Sequence, residues 1–269
     1  MPHNRTVAVA EQWDLGSGYH LLRLEAPDLA ATSRAGQFVM LGLPEINAML
    51  IRRPFSVARV APDPADGPPR QIEVLYKVFG NATLALSRLR KGDSAAVLGP
   101  LGHGFSSPDD GSDLVLVAGG IGNAIFPLLL QQIGATHAKP QMIFGGRSRT
   151  DLTLLDWFQE RCAVITTTED GTHGEKGRVT APLQRLLDDG SNRRRIVMTC
   201  GPHPMLRAVA QLCEQRGVVC QVATEETMAC GFGVCLGCVI PKRNPTDDFE
   251  KFVRVCCEGP VFDSREIVL

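Results

Sequence analysis

Apolar and polar positions alternate in short runs over the first hundred residues. Thr6–Ala10, Tyr19–Glu25, Gln37–Leu41, Phe55–Val60, Ile72–Val78 and Ser94–Leu98 each follow a period of two between turn signals, which predicts strands. Many short strands at near-regular spacing predict a small antiparallel barrel. One helix, Thr83–Arg90, is expected among them. The stretch from Ala61 to Pro69 holds four prolines and two acidic residues and reads as an exposed loop.

From about residue 104 to 222 the rhythm changes. Leu114–Ala118 precedes a helical pattern at Phe126–Ile133, Gln141–Phe144 precedes Asp151–Arg161, and Ala163–Thr167 precedes Val179–Leu187. Ile196–Thr199 precedes Pro204–Arg216, and Val218–Val222 closes the series. Strands alternating with helices predict βαβ units around a parallel sheet covered on both faces. Leu114–Ala138 carries no charged residue and is long enough to span a bilayer. Its four glycines, its proline and two glutamines argue instead for a buried strand, a glycine turn and a core helix. The remaining segment, 223–269, is too short to fold well on apolar burial alone, so a metal staple is physically reasonable.

Composition narrows the choices. The chain has 269 residues, 44% hydrophobic and 21% charged, with a formal net charge of −1. That suits a folded protein of two or three domains and offers no basic field for nucleic acid or an acidic membrane surface. The run Arg193-Arg194-Arg195 reads as the solvated start of a strand. Met1–Ala10 has no long apolar stretch, so no secretory signal is expected and the location reads as cytoplasmic. Disulfides are rare there. Five of the nine cysteines fall between Cys230 and Cys257, a crowding that asks for a metal.

The spacing Cys230-x4-Cys235-x2-Cys238 with a distant fourth cysteine is the plant-type [2Fe–2S] pattern. Each iron needs two thiolates, and Gly231, Gly233 and Gly237 allow the loop to curl around them. Zinc ribbons usually bring paired C-x2-C knuckles, and only one is present. The fourth ligand is Cys256 or Cys257; adjacent residues cannot easily both ligate.

Arg53-Pro54-Phe55-Ser56 opens a strand with a cation for a pyrophosphate, an aromatic wall for a flavin ring and a small donor for its N5. Leu75-Tyr76-Lys77 and Gly80-Asn81-Ala82-Thr83 strengthen that reading, the latter because helix N-termini offer N–H groups to phosphate. Ala118-Gly119-Gly120-Ile121-Gly122 follows a strand, where a dinucleotide phosphate sits in an open α/β sheet. The full G-x-G-x-x-G is not met, because position 125 is Ile. Thr199-Cys200-Gly201-Pro202 ends a later strand; Cys200 either faces a nicotinamide or fills core space. His103 and His203 lie in turns and read as surface residues. No Ser/His/Asp set and no carboxylate pair demands acid–base work.

The chain resembles the ferredoxin-reductase superfamily, and within it the electron-transfer subunits of B-type dihydroorotate dehydrogenases. The resemblance runs through Arg53–Ser56, Gly99-Pro-Leu-Gly-His-Gly-Phe105, Gly119–Gly122, Asp151-Leu-Thr-Leu-Leu155 and Glu169-Asp-Gly171. It continues through Thr199–Leu206, Met228-Ala-Cys-Gly231 and Gly259-Pro-Val-Phe262. It implies an FAD-binding β-barrel over 1–103, an NAD-binding α/β domain over 104–222 and a [2Fe–2S] domain over 223–269. It places the flavin on Arg53, Pro54, Phe55, Ser56, Leu75, Tyr76, Lys77, Ala82 and Thr83. The nicotinamide dinucleotide falls on Gly119, Gly120, Gly122, Cys200, Gly201 and Pro202. The fourth cluster ligand lies four residues before the proline of Gly-Pro-Val-Phe, which selects Cys256. Three departures stand out: Ala82 where the family usually has Gly, Pro127 later than usual, and a longer Cys238–Cys256 interval that a loop at 242–248 absorbs.

The implied activity is relay between NAD(H), FAD and the cluster, to or from the FMN of a separate catalytic subunit in pyrimidine biosynthesis. The net direction is dihydroorotate to NAD, in a heterotetramer with two copies of each subunit. A nicotinamide exchanges two electrons at once and the cluster one, while a flavin does both. The alternatives are the equivalent subunit of a hydrogenase or bifurcating transhydrogenase, and a non-enzymatic iron–sulfur redox sensor. Arg147 and Arg149 lie where a 2′-phosphate is read, so NADH over NADPH rests on the resemblance.

Overall fold

Period-two alternation in the N-terminal third produces a seven-stranded antiparallel sheet. The computed structural model describes residues 3–44, 52–63, 65–106, 111–134, 139–191, 193–247 and 250–269. The chain runs β1 (His3–Gly16), β2 (Tyr19–Glu25), α1 (Pro27–Thr32), β3 (Phe38–Gly42), β4 (Arg53–Ser56), β5 (Arg59–Ala61), β6 (Gln71–Lys77), α2 (Asn81–Leu86) and β7 (Ser94–Leu101). Sheet order is β4-β3-β7-β1-β2-β6-β5. The predicted strand Phe55–Val60 is two strands. β4 pairs with β3 and β5 with β6, and between them Val57 N–H donates to Gln37 and Ala58 N–H to Glu73. One extended segment thus joins both edges and closes the barrel, which periodicity alone cannot reveal. Helix α2 stops at Leu86, short of the predicted Arg90, because Arg88 and Leu89 tighten into i→i+3 bonds before the Gly92 turn. Helix α1 was not predicted; it is six residues long, begins on Pro27 and buries Leu29 and Ala30.

The second region continues β8 (Asp113–Gly119), a 3₁₀ turn Gly120–Ile125, α3 (Phe126–Ile133), β9 (Gln141–Gly146), α4 (Leu155–Arg161), β10 (Ala163–Thr168), β11 (Glu175–Lys176), α5 (Thr180–Leu187), β12 (Arg195–Cys200), α6 (His203–Gln215) and β13 (Val219–Ala223). Then follow β14 (Val239–Pro241), β15 (Phe252–Arg254) and β16 (Val261–Asp263). Sheet order is β11-β10-β9-β8-β12-β13-β16, parallel up to β13 and antiparallel at β16. Leu114, Leu116 and Ala118 share a buried cluster with α3 and α4 residues, whereas Val115 and Val117 share one with α5 and α6 residues. Both faces are therefore covered, as a continuously apolar strand requires. The chain reverses direction across the sheet between β8 and β12, which opens a ligand crevice at their carboxyl ends.

Three local readings change. The helix expected over Asp151–Arg161 begins only at Leu155, because Leu154 takes a left-handed φ of 57°. The run at 193–195 is not all solvated: Arg195 is buried and its guanidinium grips Asp189. The charge-free stretch from Leu114 becomes β8, the 3₁₀ turn and α3, ending at Gly134, with 135–138 outside the described residues. No helix among the described residues is long and apolar enough to cross a membrane. Residue 248 of the expected 242–248 loop also lies outside them.

Among the described residues, segment 223–269 shares its core with the rest of the chain. Cys238, Ile240, Val255, Cys256, Phe262 and Ile267 join one buried cluster with Met40 and Leu101 of the barrel and Val115 and Val209 of the α/β layer. Two polar ties lock barrel and α/β sheet together. The fully buried Glu73 carboxylate takes Arg23 and Arg59, and Arg59 lies over the Trp157 ring of α4. Asp151 accepts from Tyr19 Oη at 2.7 Å, Lys77 Nζ at 3.0 Å and Arg147 N–H at 3.0 Å.

Candidate functional site

A cleft of about 1080 Å³ lies between the barrel and the carboxyl ends of β12 and β13. Its barrel wall comes from β4, β6 and α2 and carries Arg53, Pro54, Phe55, Ser56, Leu75, Tyr76, Lys77, Ala82 and Thr83, every residue expected to hold a flavin. The wall is aromatic: Phe55 meets Tyr76 edge-on at 5.7 Å, and His20 stacks behind Tyr76 at 5.5 Å. Phe79 is 85% exposed at the rim, an apolar ring left uncovered by the protein. Thr83 Oγ1 accepts from Phe79 and Gly80 N–H at 2.8 and 3.2 Å and so fixes the turn that opens α2. A Cβ on Gly80 would meet nothing within 4 Å, so the chain approaches open space there. The size, the aromatic wall and the Arg53 cation fit a dinucleotide with a flat ring. Lys77 also has protein partners: its ammonium is tied to Asp151 and lies 4.4 Å above the Tyr19 ring.

The opposite wall carries Gly122 and Cys200. Gly122 is obligatory, because a Cβ there would lie 2.3 Å from the Cys200 carbonyl oxygen. Gly119, Gly120, Gly201 and Pro202 do not line the cleft. Gly119 and Gly201 touch behind it and pack under Met205, which lets the two strand-end turns meet. Burial pushes the Cys200 thiol well above its ordinary pKa, and the nearby Glu225 carboxylate adds to this. Cys200 is thus a neutral, compact wall rather than a thiolate nucleophile.

Sequence reasoning missed Glu225, just beyond β13, and did not bring His203 to the cleft. Glu225 faces the cleft, and its desolvation there raises its pKa, with His203 working the other way. His203 opens α6, with Nε2 3.4 Å from the Glu225 carbonyl and 3.5 Å from Glu226 Oε1. Nothing in local spacing joins residue 203 to 225; only the neighbouring of β12 and β13 does.

The cysteine loop starts two residues after Met228, itself part of the cleft wall. Burial opposes ionisation of Cys230, but the N–H groups of Cys235, Phe232 and Val234 and the Cys235 thiol converge on its sulfur and bring its pKa down to about 6. Gly231 and Gly233 take the left-handed φ values of 81° and 87° that the curl needs. Gly237 does not; Leu236 takes the third left-handed position instead, at 54°. Cys238 and Cys256 are buried at 1% and 2% exposure and hydrogen-bonded to each other, and Cys256 N–H points at Cys238 Sγ at 3.4 Å. The sulfurs therefore stand as two pairs, Cys230 with Cys235 and Cys238 with Cys256. Two thiol pairs and a ring of N–H donors fit a two-iron cluster.

Cys257 Sγ is 3.7 Å from Cys256 Sγ but turns toward Gly233, where a Cβ would come within 2.5 Å of it. His103 is exposed, as expected, and its ring nitrogen also lies 2.6 Å from the Cys257 carbonyl while its backbone N–H donates to the Gly259 carbonyl, so it ties the Gly-rich connector to the cysteine segment.

The family model described as the iron–sulfur cluster binding domain of dihydroorotate dehydrogenase B matches residues 225–268, and an oxidoreductase NAD-binding domain matches 116–211. The chain is 33% identical over 252 residues to the dihydroorotate dehydrogenase B (NAD(+)) electron transfer subunit of Desulforamulus reducens, covering 93% of this chain and 92% of that one. It is 31% identical over 271 residues to the subunit of the same name in Bacillus cereus, covering 100% of both. Among solved structures, a chain of an NADH-dependent reduced ferredoxin-NADP oxidoreductase aligns with TM-score 0.83 at 24% identity, covering 100% of this chain and 91% of that one. A ferredoxin NADP+ reductase from Neisseria gonorrhoeae aligns with TM-score 0.63 at 18% identity, over 80% of this chain and 92% of that one. Both share the fold.

Proposed function

This chain belongs to the family of dihydroorotate dehydrogenase B electron-transfer subunits, and from that membership we propose how its residues divide the work. It is the electron-transfer subunit of an NAD-dependent dihydroorotate dehydrogenase, an oxidoreductase that carries an iron–sulfur cluster and binds NAD. The observation that carries the assignment is the cleft itself. It sets the β4, β6 and α2 residues against Gly122 and Cys200, with Cys230 two residues beyond its wall.

FAD lies along the barrel wall. Arg53 neutralises its pyrophosphate, the first N–H groups of α2 at Ala82 and Thr83 receive phosphate oxygens, and Phe55 and Tyr76 flank its ring. Ser56 presents its hydroxyl to the reacting edge. The nicotinamide half enters between Cys200 and Glu225, while the turns built by Gly119, Gly120, Gly201 and Pro202 set the floor beneath it. Cys230, Cys235, Cys238 and Cys256 ligate a [2Fe–2S] cluster; Cys257 is spare. When bound, the flavin takes a hydride from the nicotinamide and releases single electrons, which the cluster carries one at a time. Dense N–H donation around Cys230 favours the anionic thiolate and tunes the cluster.

Among the described residues no side chain is placed as a base for dihydroorotate, and a catalytic FMN subunit supplies that chemistry. Phe232, Val234 and Leu236, 51–73% exposed beside the exposed Cys235, with Phe252, 56% exposed four residues before Cys256, form the face on which it docks. The assembly has two copies of each subunit and works in the cytoplasm, where nine unpaired cysteines are at home. The physiological direction is dihydroorotate to NAD. Chain purified without oxygen should show flavin and [2Fe–2S] absorbance that NADH bleaches, and with its catalytic partner should reduce NAD with dihydroorotate. Absence of NADH bleaching would overturn the nicotinamide assignment.

A further inference from the structure

Strand β3 is shared between the two redox sites. Along one edge Phe38, Val39 and Met40 pair with Ser56, Phe55 and Pro54, the motif expected at the flavin. Its side chains alternate between two surroundings. Val39 and Leu41 enter the barrel core, whereas Phe38 and Met40 join the buried cluster that contains Cys238, Cys256 and Met228. Met40 is fully buried there, and the cysteine loop lies directly on it. A Cβ built on Gly231 would stand 2.5 Å from Met40 Cγ and 2.8 Å from Met40 Sδ. Only a residue without a side chain lets the backbone next to Cys230 rest on this wall. Nearby Gly233 has the same left-handed backbone but faces Cys257 and Arg254 instead.

We propose that the contact between Met40 and Gly231 sets the gap that electrons cross between flavin and cluster, with Cys230 the ligand nearest the flavin. Met40 and Gly231 are positioning residues. The inference rests on the reading that places a flavin in the cleft and a cluster on the four cysteines. NADH gives the flavin two electrons and a proton as hydride and leaves as NAD+. One electron then crosses to the oxidised cluster, and the flavin's proton passes to solvent. The second electron crosses once the cluster has given the first to the partner's flavin or to added ferricyanide. Electron transfer weakens steeply with separation, so an ångström of displacement registers in this step and not in hydride transfer.

The test follows flavin and cluster absorbance separately after mixing the loaded complex with NADH without oxygen, with iron measured per chain. Met40→Ala removes the wall, and Gly231→Ala forces a methyl against it. Each should slow cluster reduction several-fold, while flavin bleaching keeps its wild-type rate. Combining them should return cluster reduction to within about twofold of wild type, because the new methyl occupies the space the thioether leaves. A purely structural defect would instead worsen in the double variant. Wild-type cluster rates in either iron-loaded single variant, or a double slower than both singles, would overturn the proposal. If Gly231→Ala loads no iron, Met40→Ala decides alone: an unchanged cluster rate overturns the proposal. Failure of wild-type flavin to bleach, or absence of a cluster from wild type, would instead strike the underlying reading.

Discussion

Cys256 and Cys257 are neighbours with sulfurs 3.7 Å apart, yet their surroundings differ. Cys256 is buried beside Cys238, whereas Cys257 is partly exposed and turned toward Gly233. Cys256→Ser should therefore lose the cluster, read as iron per chain and visible absorbance falling to near zero, while Cys257→Ser keeps both. The reverse outcome would reassign the fourth ligand. Spacing alone left this choice open, because adjacent side chains diverge only once the backbone is known. The same limit hid Leu236, which no composition rule marks as a left-handed residue. It also hid Glu225 and His203, which become partners only through the sheet.

At the scale of elements, Asp151 shows how a short polar segment joins two layers. It sits in the 3₁₀ turn Arg149–Asp151 after β9 and receives Tyr19 from β2, Lys77 from β6 and the Arg147 N–H. Burial alone would raise its pKa; the hydrogen bonds from Tyr19, Lys77 and Arg147 outweigh that and hold it below the ordinary 3.8. A depressed folded-state pKa means stabilisation that is full above the unfolded value and lost as pH falls through the folded one. Asp151→Asn should cost about 1–3 kcal/mol in urea unfolding at pH 7, the cost of a buried polar group left poorly paired. The difference from wild type should shrink below about pH 4; a gap that stays constant with pH would mean the carboxylate's charge is not what holds the layers. Period and alternation located most of these elements, β2 and α3 to the residue. They missed the break between β4 and β5, the two-residue β11 and the brief α1. In each, pairing partners or a single capping residue decide the structure, and a window of periodic positions does not contain them. Arg195 was misread for the same reason, since its partner Asp189 neutralises a charge that looked destined for water.

At the scale of the molecule, the cleft and the cysteine loop lie next to each other along the chain. The cleft opens beside β12 and β13, the cysteine loop follows within two residues of its wall, and Cys235 reaches the surface between the exposed Val234 and Leu236. Isolated apolar residues on a surface need no explanation, but a contiguous group of them does. Val234 is 73% exposed and Phe252 56%, the first next to Cys235 and the second four residues before Cys256. Replacing either with glutamate places a charge where a partner must exclude water. Val234→Glu or Phe252→Glu should weaken association with the catalytic subunit by about 30-fold or more, equivalent to a hot-spot loss near 2 kcal/mol. Titration of one subunit into the other would measure this. Because both side chains lie away from the flavin cleft, NADH should bleach the flavin and cluster of these variants at wild-type rates, while dihydroorotate-linked NAD reduction falls at subsaturating partner and recovers at high concentration. Wild-type affinity in both variants would move the docking face elsewhere and leave the exposed ring around Cys235 without a partner.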